Sequence, residues 1–361
     1  MRCHLFELPP AANNINMQYK GRPGSFSFYY FNQYPKFAPH MQVHHLPDPL
    51  PVFNKAVITI GTFDGVHTGH CQILHQLKTE ARAIGGETVI ITFDPHPRKL
   101  LGKNGSELKL INTPSEKIKL LGEQGIDHLV IVPFTREFAN QTAKDYVEKF
   151  LVEKFHPHTI IIGYDHQFGH NREGNYLLLE AIKEDYGFEV KEISEQVINN
   201  VIISSTKVRQ SITEGNIDEA NLFLGYPYFF EGVVVEGNRL GRTIGYPTAN
   251  LEIQEAEKLV PGYGVYAVTL TILQGTIEKT VYSGMMNIGI RPTIGGTKRI
   301  IEVNIFDFDD DIYGHSVRVF IHRRLRGEEK FNGLDALKDQ LYKDKINAIN
   351  ALADLQANNI S

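Results

Sequence analysis

Residues 55–224 alternate short apolar runs with segments whose apolar side chains recur at helical spacing. Residues 56–62 form a β-branched run bounded by Gly and Asp, and residues 70–84 then place Ile73, Leu77 and Ile84 on one helical face. The same order recurs in strands predicted at 87–93, 128–134 and 159–163, and in helices predicted from Thr113 and across 146–151. Parallel strands need crossover helices, so this order predicts an α/β domain with a doubly wound parallel sheet covered on both faces.

The sequence changes character after Gly225. Five short Val/Ile/Tyr-rich runs follow, separated by Gly or Asp turns without helical patterns between them: 231–235, 265–273, 279–283, 299–306 and 316–322. They predict an antiparallel β-barrel, and a helix across 328–355 is predicted to close the chain. We therefore predict three parts: a poorly ordered extension at 1–50, an α/β domain at 51–224, and an all-β domain with a C-terminal helix at 225–361.

The first forty residues differ from the rest of the chain. Asn, Pro and Gly surround an aromatic run at 25–31, and the cationic start and sustained apolar stretch of a secretory signal are missing. Two interpretations stay open: the segment is a poorly ordered extension, or the gene is read from an upstream start and Met41 is the natural one. In both cases we expect the first strand soon after Met41.

The overall composition excludes several classes of protein. With 42% hydrophobic and 22% charged residues, the chain is neither collagen nor coiled coil nor wholly disordered. A formal charge of −5 argues against a nucleic acid as the main partner, and no stretch approaches the roughly 18 to 20 apolar residues that would cross a membrane. Only Cys3 and Cys71 are present, which excludes a disulfide scaffold and fits the cytoplasm. Self-association is possible, but the sequence does not indicate it.

Three polar segments follow predicted strands of the α/β domain, at 61–70, 93–97 and 163–169. Ligands of doubly wound sheets bind at the carboxyl ends of the strands, so we expect these segments to converge on one site.

His67 and His70 are three residues apart at a predicted helix start, so both rings can face one point where free backbone N–H groups favour an anion. The pattern predicts a phosphate cradle in which histidines stabilise transition-state charge. Two alternatives are open. The histidines could bind zinc if His96 supplied a third ligand, or they could only cap the helix.

Residues 204–209 bring hydroxyls and two cations to another predicted helix start, a combination that suits a triphosphate, although a solvated helix start is the simpler interpretation. Together the segments favour nucleotidyl transfer. An anionic acceptor attacks the α-phosphate of a nucleotide, and because the acceptor is already ionised, no strong base is needed.

Residues 237–250 contain three glycines spaced four apart, with arginines between them. The chain has no P-loop motif, so a kinase site here would need a different phosphate cradle. Glycines permit close backbone approach to phosphates, and the Thr248 hydroxyl and Asn250 amide oxygen are hard ligands suited to Mg²⁺. The alternative is that these glycines only form turns.

The segments 61–70, 163–169 and 203–209 resemble the FMN adenylyltransferase module of the prokaryotic bifunctional riboflavin kinase/FAD synthetase family, and residues 241–250, 287–293 and 301–306 are similar to its riboflavin kinase module. The resemblance implies an N-terminal nucleotidylyltransferase domain, a C-terminal riboflavin kinase barrel, and Mg²⁺ as the assisting ion. It implies that riboflavin is phosphorylated by ATP to FMN, and that FMN is adenylylated to FAD with release of pyrophosphate. One departure is His166, where family members often carry an aromatic ring.

The resemblance also implies roles for individual residues. Catalytic roles fall to Glu302 (the base that deprotonates the riboflavin hydroxyl), His67, His70 and Arg209. ATP binding falls to Gly61, Phe63, Asp64, Gly65, Asp165, Ser205, Thr206, Gly241, Arg242, Gly245 and Pro247; flavin binding to Pro95, Pro97, Phe168 and Arg291; and metal binding to Thr248 and Asn250. Alternative roles stay open for two of these residues. Glu302 could be an outward-facing strand carboxylate. Arg291 could reach a phosphate group, or it could only stabilise its own loop.

Two other functions fit these residues less well. An adenylyltransferase for another phosphorylated cofactor precursor would not need Thr248, Asn250 and Glu302 together. A non-catalytic flavin-binding protein would not need intact motifs in both halves.

Overall fold

The computed structural model describes residues 41–102, 107–193, 203–237, 240–273, 280–293 and 296–357. The first domain is built on a six-stranded sheet in the order β1-β4-β3-β2-β5-β6, and every pair of neighbouring strands is parallel. Its strands are β1 (Gln42–His45), β2 (Val57–Ile60), β3 (Thr88–Asp94), β4 (His128–Pro133), β5 (Thr159–Gly163) and β6 (Glu189–Ile193).

The sheet begins inside the segment that we assigned to the extension. Gln42 to His45 pair in parallel with β4, so residues 41–50 contribute an edge strand, and the prediction of poor order over 1–50 is wrong for its last ten residues. The expectation of a first strand soon after Met41 is confirmed. Residues 1–40 lie outside the described residues, and so does the choice between an extension and an upstream start.

Helices cover both faces of this sheet, because alternate strand residues are apolar on each side. Val57 and Ile90 pack with helix α1 (Thr68–Ile84) on one face, whereas Ile58 and Val89 pack with Phe150 on the other. The other helices are α2 (Pro97–Leu101), α3 (Pro114–Glu123), α4 (Arg136–Ala139), α5 (Ala143–Asp145), α6 (Glu153–Phe155), α7 (Tyr176–Tyr186), α8 (Ser205–Glu214) and α9 (Ile217–Leu224). The helix predicted across 146–151 is a π-helical segment, Tyr146–Val152, between α5 and α6.

The second domain is a closed barrel of six strands in the order β10-β11-β8-β7-β12-β9, with antiparallel neighbours. Its strands are β7 (Tyr228–Val235), β8 (Ala249–Glu252), β9 (Gly264–Ile272), β10 (Val281–Thr293), β11 (Gly296–Ile305) and β12 (Ser316–Arg326). A short helix, α10 (Leu240–Thr243), precedes β8, and α11 (Leu334–Ala357) closes the chain. The fold class predicted from the sequence is therefore confirmed.

Three boundaries in the barrel differ from the prediction. The strand β8 begins inside the glycine-rich motif, at Ala249, and β10 continues far beyond 283, through glycines that look like strand breakers in the sequence. Gly284 is needed there because an added Cβ would lie 2.7 Å from the carbonyl oxygen of Asn304 on β11. The last helix begins at Leu334 rather than at 328, directly after Gly333 with its φ of +103°.

The two domains share an apolar core. Val208, Ile212 and Leu224 of α8 and α9 pack with barrel residues such as Tyr228 and Val319. In the part of the chain that the structure describes, no helix has the length and hydropathy needed to span a membrane.

Candidate functional site

His67 and His70 lie at the start of α1, where the chain leaves β2. His67 is the N-cap residue, and its Nδ1 accepts a hydrogen bond from the backbone N–H of His70 at 3.4 Å. The two rings stack with centroids 3.7 Å apart and planes 16° apart. The two rings thus lie side by side at the helix start, and their common action on a phosphate stays a prediction.

Burial favours the neutral form of both imidazoles. Burial lowers the pKa of His67 to about 4, although the nearby Asp64 carboxylate partly opposes this change. Burial, and then the neighbouring His67, lower the pKa of His70 well below 6.5. Nδ1 of His70 is enclosed without a hydrogen-bond partner among the described residues. These rings are therefore suited to donating N–H bonds and not to carrying positive charge.

Asp64 organises the loop below the histidines. Its side chain is 3% exposed, and one carboxylate oxygen accepts the backbone N–H groups of Ile111 at 2.9 Å and Asn112 at 3.3 Å. The other oxygen accepts Nη2 of Arg209 at 2.6 Å. Nε of Arg209 donates to the carbonyl of Lys109 at 2.9 Å, so two bonds fix the guanidinium.

Helix α8 brings its hydroxyl groups to the same place. The Ser205 hydroxyl donates to the Asp64 carbonyl at 2.8 Å and lies 3.4 Å from Nε2 of His67. Thr206 accepts a hydrogen bond from Nη1 of Arg98 at 3.2 Å. The segments at 61–70, 93–97 and 203–209 thus meet at one edge of the sheet. Asp165 is exposed beyond β5, the strand that pairs with β2.

The three residues expected to border a flavin are themselves apolar: Pro95, Pro97 and Phe168. Phe168 is buried, and its ring stacks on Tyr146 with centroids 5.0 Å apart. The His166 ring lies 6.0 Å from that of Phe168, and its buried Nε2 has no hydrogen-bond partner within the described chain. Pro95 and Pro97 follow β3, where Pro97 opens α2.

Lys117 is a residue that the sequence reasoning missed. Its ammonium group donates to Thr92 Oγ1 at 3.1 Å and to the Thr62 carbonyl at 3.3 Å. Burial lowers the pKa of Lys117, and Asp64 and Asp94 oppose that change. No local signal identifies this lysine, because it occupies an ordinary position in a helix that is remote in sequence from the histidines.

The structure gives no support to the zinc alternative. Across the described ranges, no group of three His, Cys, Asp or Glu side chains comes close enough to hold a metal ion. Burial lowers the pKa of His96 to about 4, and its Nδ1 accepts the backbone N–H of Arg98, so this ring caps α2.

The barrel holds a cavity of about 540 Å³. Of the residues predicted for this half, Gly241, Thr248, Asn250, Arg291 and Glu302 line it. Residues that the sequence reasoning did not assign to the site complete the wall: Asn287, Asn304, Arg326, Glu328, Phe331 and Leu341. Arg242 lies in α10, and Gly245 and Pro247 lie in the loop that follows it, where the Pro247 carbonyl accepts Nδ2 of Asn304 at 2.7 Å.

Gly241 fits where no side chain would. A Cβ on Gly241 would lie 2.2 Å from the carbonyl oxygen of Tyr246, which is a backbone atom. At this position close backbone approach, and not only turn formation, requires glycine.

Glu302 faces this cavity from β11. It is paired across the sheet with Asn250 of β8 and Asn287 of β10, and its Oε1 lies 3.1 Å from Nη2 of Arg291. The side chain is 23% exposed, which leaves it accessible to a ligand. Glu302 alternates along β11 with Ile301 and Val303 of the barrel core, so it faces out of that core, as the alternative states, but onto the cavity and not onto open solvent.

Comparisons with known proteins agree with this geometry. The FAD synthetase family model matches residues 51–207, and the riboflavin kinase family model matches residues 224–352. The bifunctional riboflavin kinase/FMN adenylyltransferase of Escherichia coli strain K12 is 37% identical over 292 residues, which covers 81% of this chain and 91% of the relative. The proteins of the same name from Listeria monocytogenes and Bacillus subtilis are 37% and 33% identical, and each alignment covers 84% of this chain and 95% or 94% of the relative.

One solved structure, from Streptococcus pneumoniae, resembles the whole fold. It is described as a macrolide-efflux protein, and it superposes with a TM-score of 0.75 at 32% identity over 85% of this chain and 99% of its own.

Proposed function

The chain belongs to the family of bifunctional riboflavin kinases/FMN adenylyltransferases, and from this premise we propose which residues carry out each of its two reactions. The protein phosphorylates riboflavin to FMN and joins FMN to the AMP part of ATP to give FAD. The observation that carries the assignment is the difference between the two sites. The α/β site offers neutral imidazoles and an arginine, whereas the barrel cavity offers a carboxylate.

In adenylyl transfer, an FMN phosphate oxygen attacks the α-phosphorus of ATP. The bond from that phosphorus to the bridging oxygen breaks, and pyrophosphate leaves with the electron pair. The attacking oxygen is already ionised, so the site needs donors of hydrogen bonds and not a base. His67 accepts through Nδ1, so Nε2 carries its proton and donates to the phosphate that gains charge, and His70 donates beside it.

Arg209, Ser205 and Thr206 bind the triphosphate from α8 in this proposal, together with the loop of Gly61, Phe63, Asp64 and Gly65, and with Asp165. The carboxylate of Asp64 contributes indirectly, because it is buried and already bonded to Arg209 and to two backbone amides. It holds the guanidinium in a fixed orientation, which lowers the reorganisation needed when ATP binds. Pro95, Pro97 and Phe168 border the flavin of FMN.

In the kinase reaction, a neutral alcohol must lose its proton as it attacks the γ-phosphorus of ATP. Glu302 accepts that proton from the riboflavin hydroxyl. The bond from the γ-phosphorus to the bridging oxygen breaks, and ADP leaves with the electron pair. Arg291 borders the flavin and holds the carboxylate from one side. The loop of Gly241, Arg242, Gly245 and Pro247 binds the ATP phosphates, with the close backbone approach that its glycines allow.

Mg²⁺ is proposed as the ion that assists phosphoryl transfer in the barrel. The hydroxyl of Thr248 and the amide oxygen of Asn250 both line the cavity, and hard oxygen donors of this kind fit an ion that is held mainly by phosphates. When bound, the ion would neutralise phosphate charge.

The test is to incubate the purified protein with riboflavin, ATP and Mg²⁺ and to separate the flavins by chromatography. FMN should appear first and FAD should follow. FMN without FAD would remove the assignment of the α/β site, and the absence of any new flavin would remove both assignments.

A further inference from the structure

A buried lysine of the barrel reaches into the α/β domain. Lys258 lies in the loop after β8, and its side chain is 1% exposed. Its ammonium group donates to Oε2 of Glu116 at 2.5 Å and to the carbonyl of Ile111 at 2.7 Å, and both acceptors belong to the first domain. The same ammonium group lies 4.8 Å from the centre of the Tyr228 ring.

The backbone around Lys258 pairs with the same segment. The N–H of Leu110 donates to the carbonyl of Glu257 at 2.8 Å, and the N–H of Leu259 donates to the carbonyl of Leu110 at 2.9 Å. Residues 110–111 are therefore held by the barrel. They form a short parallel bridge with it, outside the six-stranded sheet of their own domain.

This segment leads directly to the adenylyl-transfer site. The N–H groups of Ile111 and Asn112 hold one oxygen of Asp64, and the other oxygen of Asp64 holds Arg209. A continuous series of hydrogen bonds thus runs from Lys258 through Ile111 and Asp64 to Arg209.

The ion pair itself is a poor source of stability. Taking two charges out of water costs free energy that their attraction often does not repay, and apolar replacements of both partners are frequently neutral. Oε1 of Glu116 has no hydrogen-bond partner among the described residues, so the pair is also incompletely bonded. A contribution to the geometry of the neighbouring site explains the pair better than stability does.

We propose that Lys258, a residue of the kinase barrel, is a positioning residue for adenylyl transfer in the other domain. It fixes the segment 110–112 so that the amides of Ile111 and Asn112 hold Asp64, which in turn orients Arg209. The inference rests on the proposed role of Arg209 in binding ATP.

The test uses the full chain and measures both reactions. In Lys258→Met, kcat/KM for ATP in FAD formation from added FMN should fall by at least about tenfold, whereas kcat/KM for ATP in FMN formation should change by less than about twofold. A purely structural role would lower both activities together.

Arg323→Met is the matched control. Arg323 also joins the two domains, through a bond of 3.0 Å from Nε to Oδ1 of Asp218, but its side chain is 40% exposed and its partner lies on α9, not on the segment 110–112. Both activities of this variant should stay within about twofold of the parent. If Lys258→Met does not fold, Lys258→Met with Glu116→Leu removes both charges, and this double variant should keep FMN formation while FAD formation stays impaired.

Two results in a folded Lys258→Met variant would overturn the inference. One is FAD formation at the rate of the parent, and the other is an equal loss of FAD and FMN formation. The variant Arg209→Ala is measured in the same experiment. It shows whether a negative result refutes the role of Lys258 or the proposed role of Arg209 in binding ATP. Unchanged FAD formation in Arg209→Ala refutes the role of Arg209. A defective Arg209→Ala beside an unaffected Lys258→Met refutes the role of Lys258 alone.

Discussion

The imidazole rings of His67 and His70 lie face to face, with centroids 3.7 Å apart, at the N-terminus of α1. Two protonated rings would repel each other at this distance, and burial lowers the pKa of both. In the proposed mechanism the pair would therefore act on the α-phosphate as two neutral donors. Positive charge would be supplied separately by Arg209, whose Nη2 lies 2.6 Å from the Asp64 carboxylate.

Replacement of His70 should stop the second reaction and spare the first. In His70→Ala, FAD formation should fall by about 10² to 10³, the usual effect of losing one donor that stabilises transition-state charge. FMN should accumulate, as chromatography of the flavins would show. His75→Ala is the control, since His75 is exposed on the same helix, and it should behave like the parent. Loss of both activities in a folded His70→Ala would refute the division between the sites.

Replacement of Glu302 should have the opposite effect. Glu302→Gln keeps the size of the side chain but cannot accept the hydroxyl proton, so FMN formation should fall by at least about 10². FAD formation from added FMN should be unchanged. Glu252→Gln, on the exposed side of β8, is the control and should keep both activities. Normal FMN formation in Glu302→Gln would show that another group is the base.

A methyl group on Gly241 should disable the kinase loop. The added Cβ would lie 2.2 Å from the backbone oxygen of Tyr246, which cannot rotate away as a flexible side chain could. FMN formation in Gly241→Ala should fall by at least about tenfold because the loop must move by more than 1 Å. FAD formation from FMN should be retained. The control is Gly122→Ala, where the new methyl would meet only Met41 at 3.7 Å.

Buried histidines should make the protein less stable in mild acid. Burial lowers the pKa of His67, His96, His166 and His322 to about 4. Between pH 6.5 and 4 the unfolded chain binds these protons and the folded chain does not, so the free energy of unfolding falls as pH falls, by up to about 1.4 kcal/mol per pH unit for each histidine.

His322 tests this effect away from both sites, because it is buried in the barrel against Thr269. Urea unfolding of His322→Gln at several pH values between 6.5 and 5 should show a slope smaller by about 1 kcal/mol per pH unit than that of the parent. His75→Gln, at an exposed position, should leave the slope unchanged. An unaltered slope in His322→Gln would mean that His322 titrates normally in the folded protein.

Local signals predicted a large part of this structure. Thr113 and Glu116 form the capping box that their spacing of three predicts, with Pro114 at the first helical position. For His67 and His70 the spacing predicted only that the two rings lie close together, and the stacking is seen in the structure. Both patterns act within one helical turn, where sequence distance and spatial distance agree.

The contacts that the sequence did not predict are long-range. Lys117 reaches Thr62 and Thr92, and Lys258 reaches Glu116 across 142 positions. The strand β10 was truncated in the prediction because Gly284 and Gly289 resemble turn residues, although Gly284 fits there because of the close approach of β11. Asp64 was assigned to ATP by resemblance, and only the fold shows that its carboxylate is already bonded to the protein.

The claim that two separate sites act in sequence is tested most directly by mixing two variants, each of which lacks one of the two activities. His70→Ala and Glu302→Gln are each incubated with riboflavin, ATP and Mg²⁺, first alone and then together, and the flavins are separated by chromatography. Neither chain alone should make FAD, whereas the mixture should, since FMN released by the first variant is a substrate for the second. A mixture of folded variants that still makes no FAD would contradict the account.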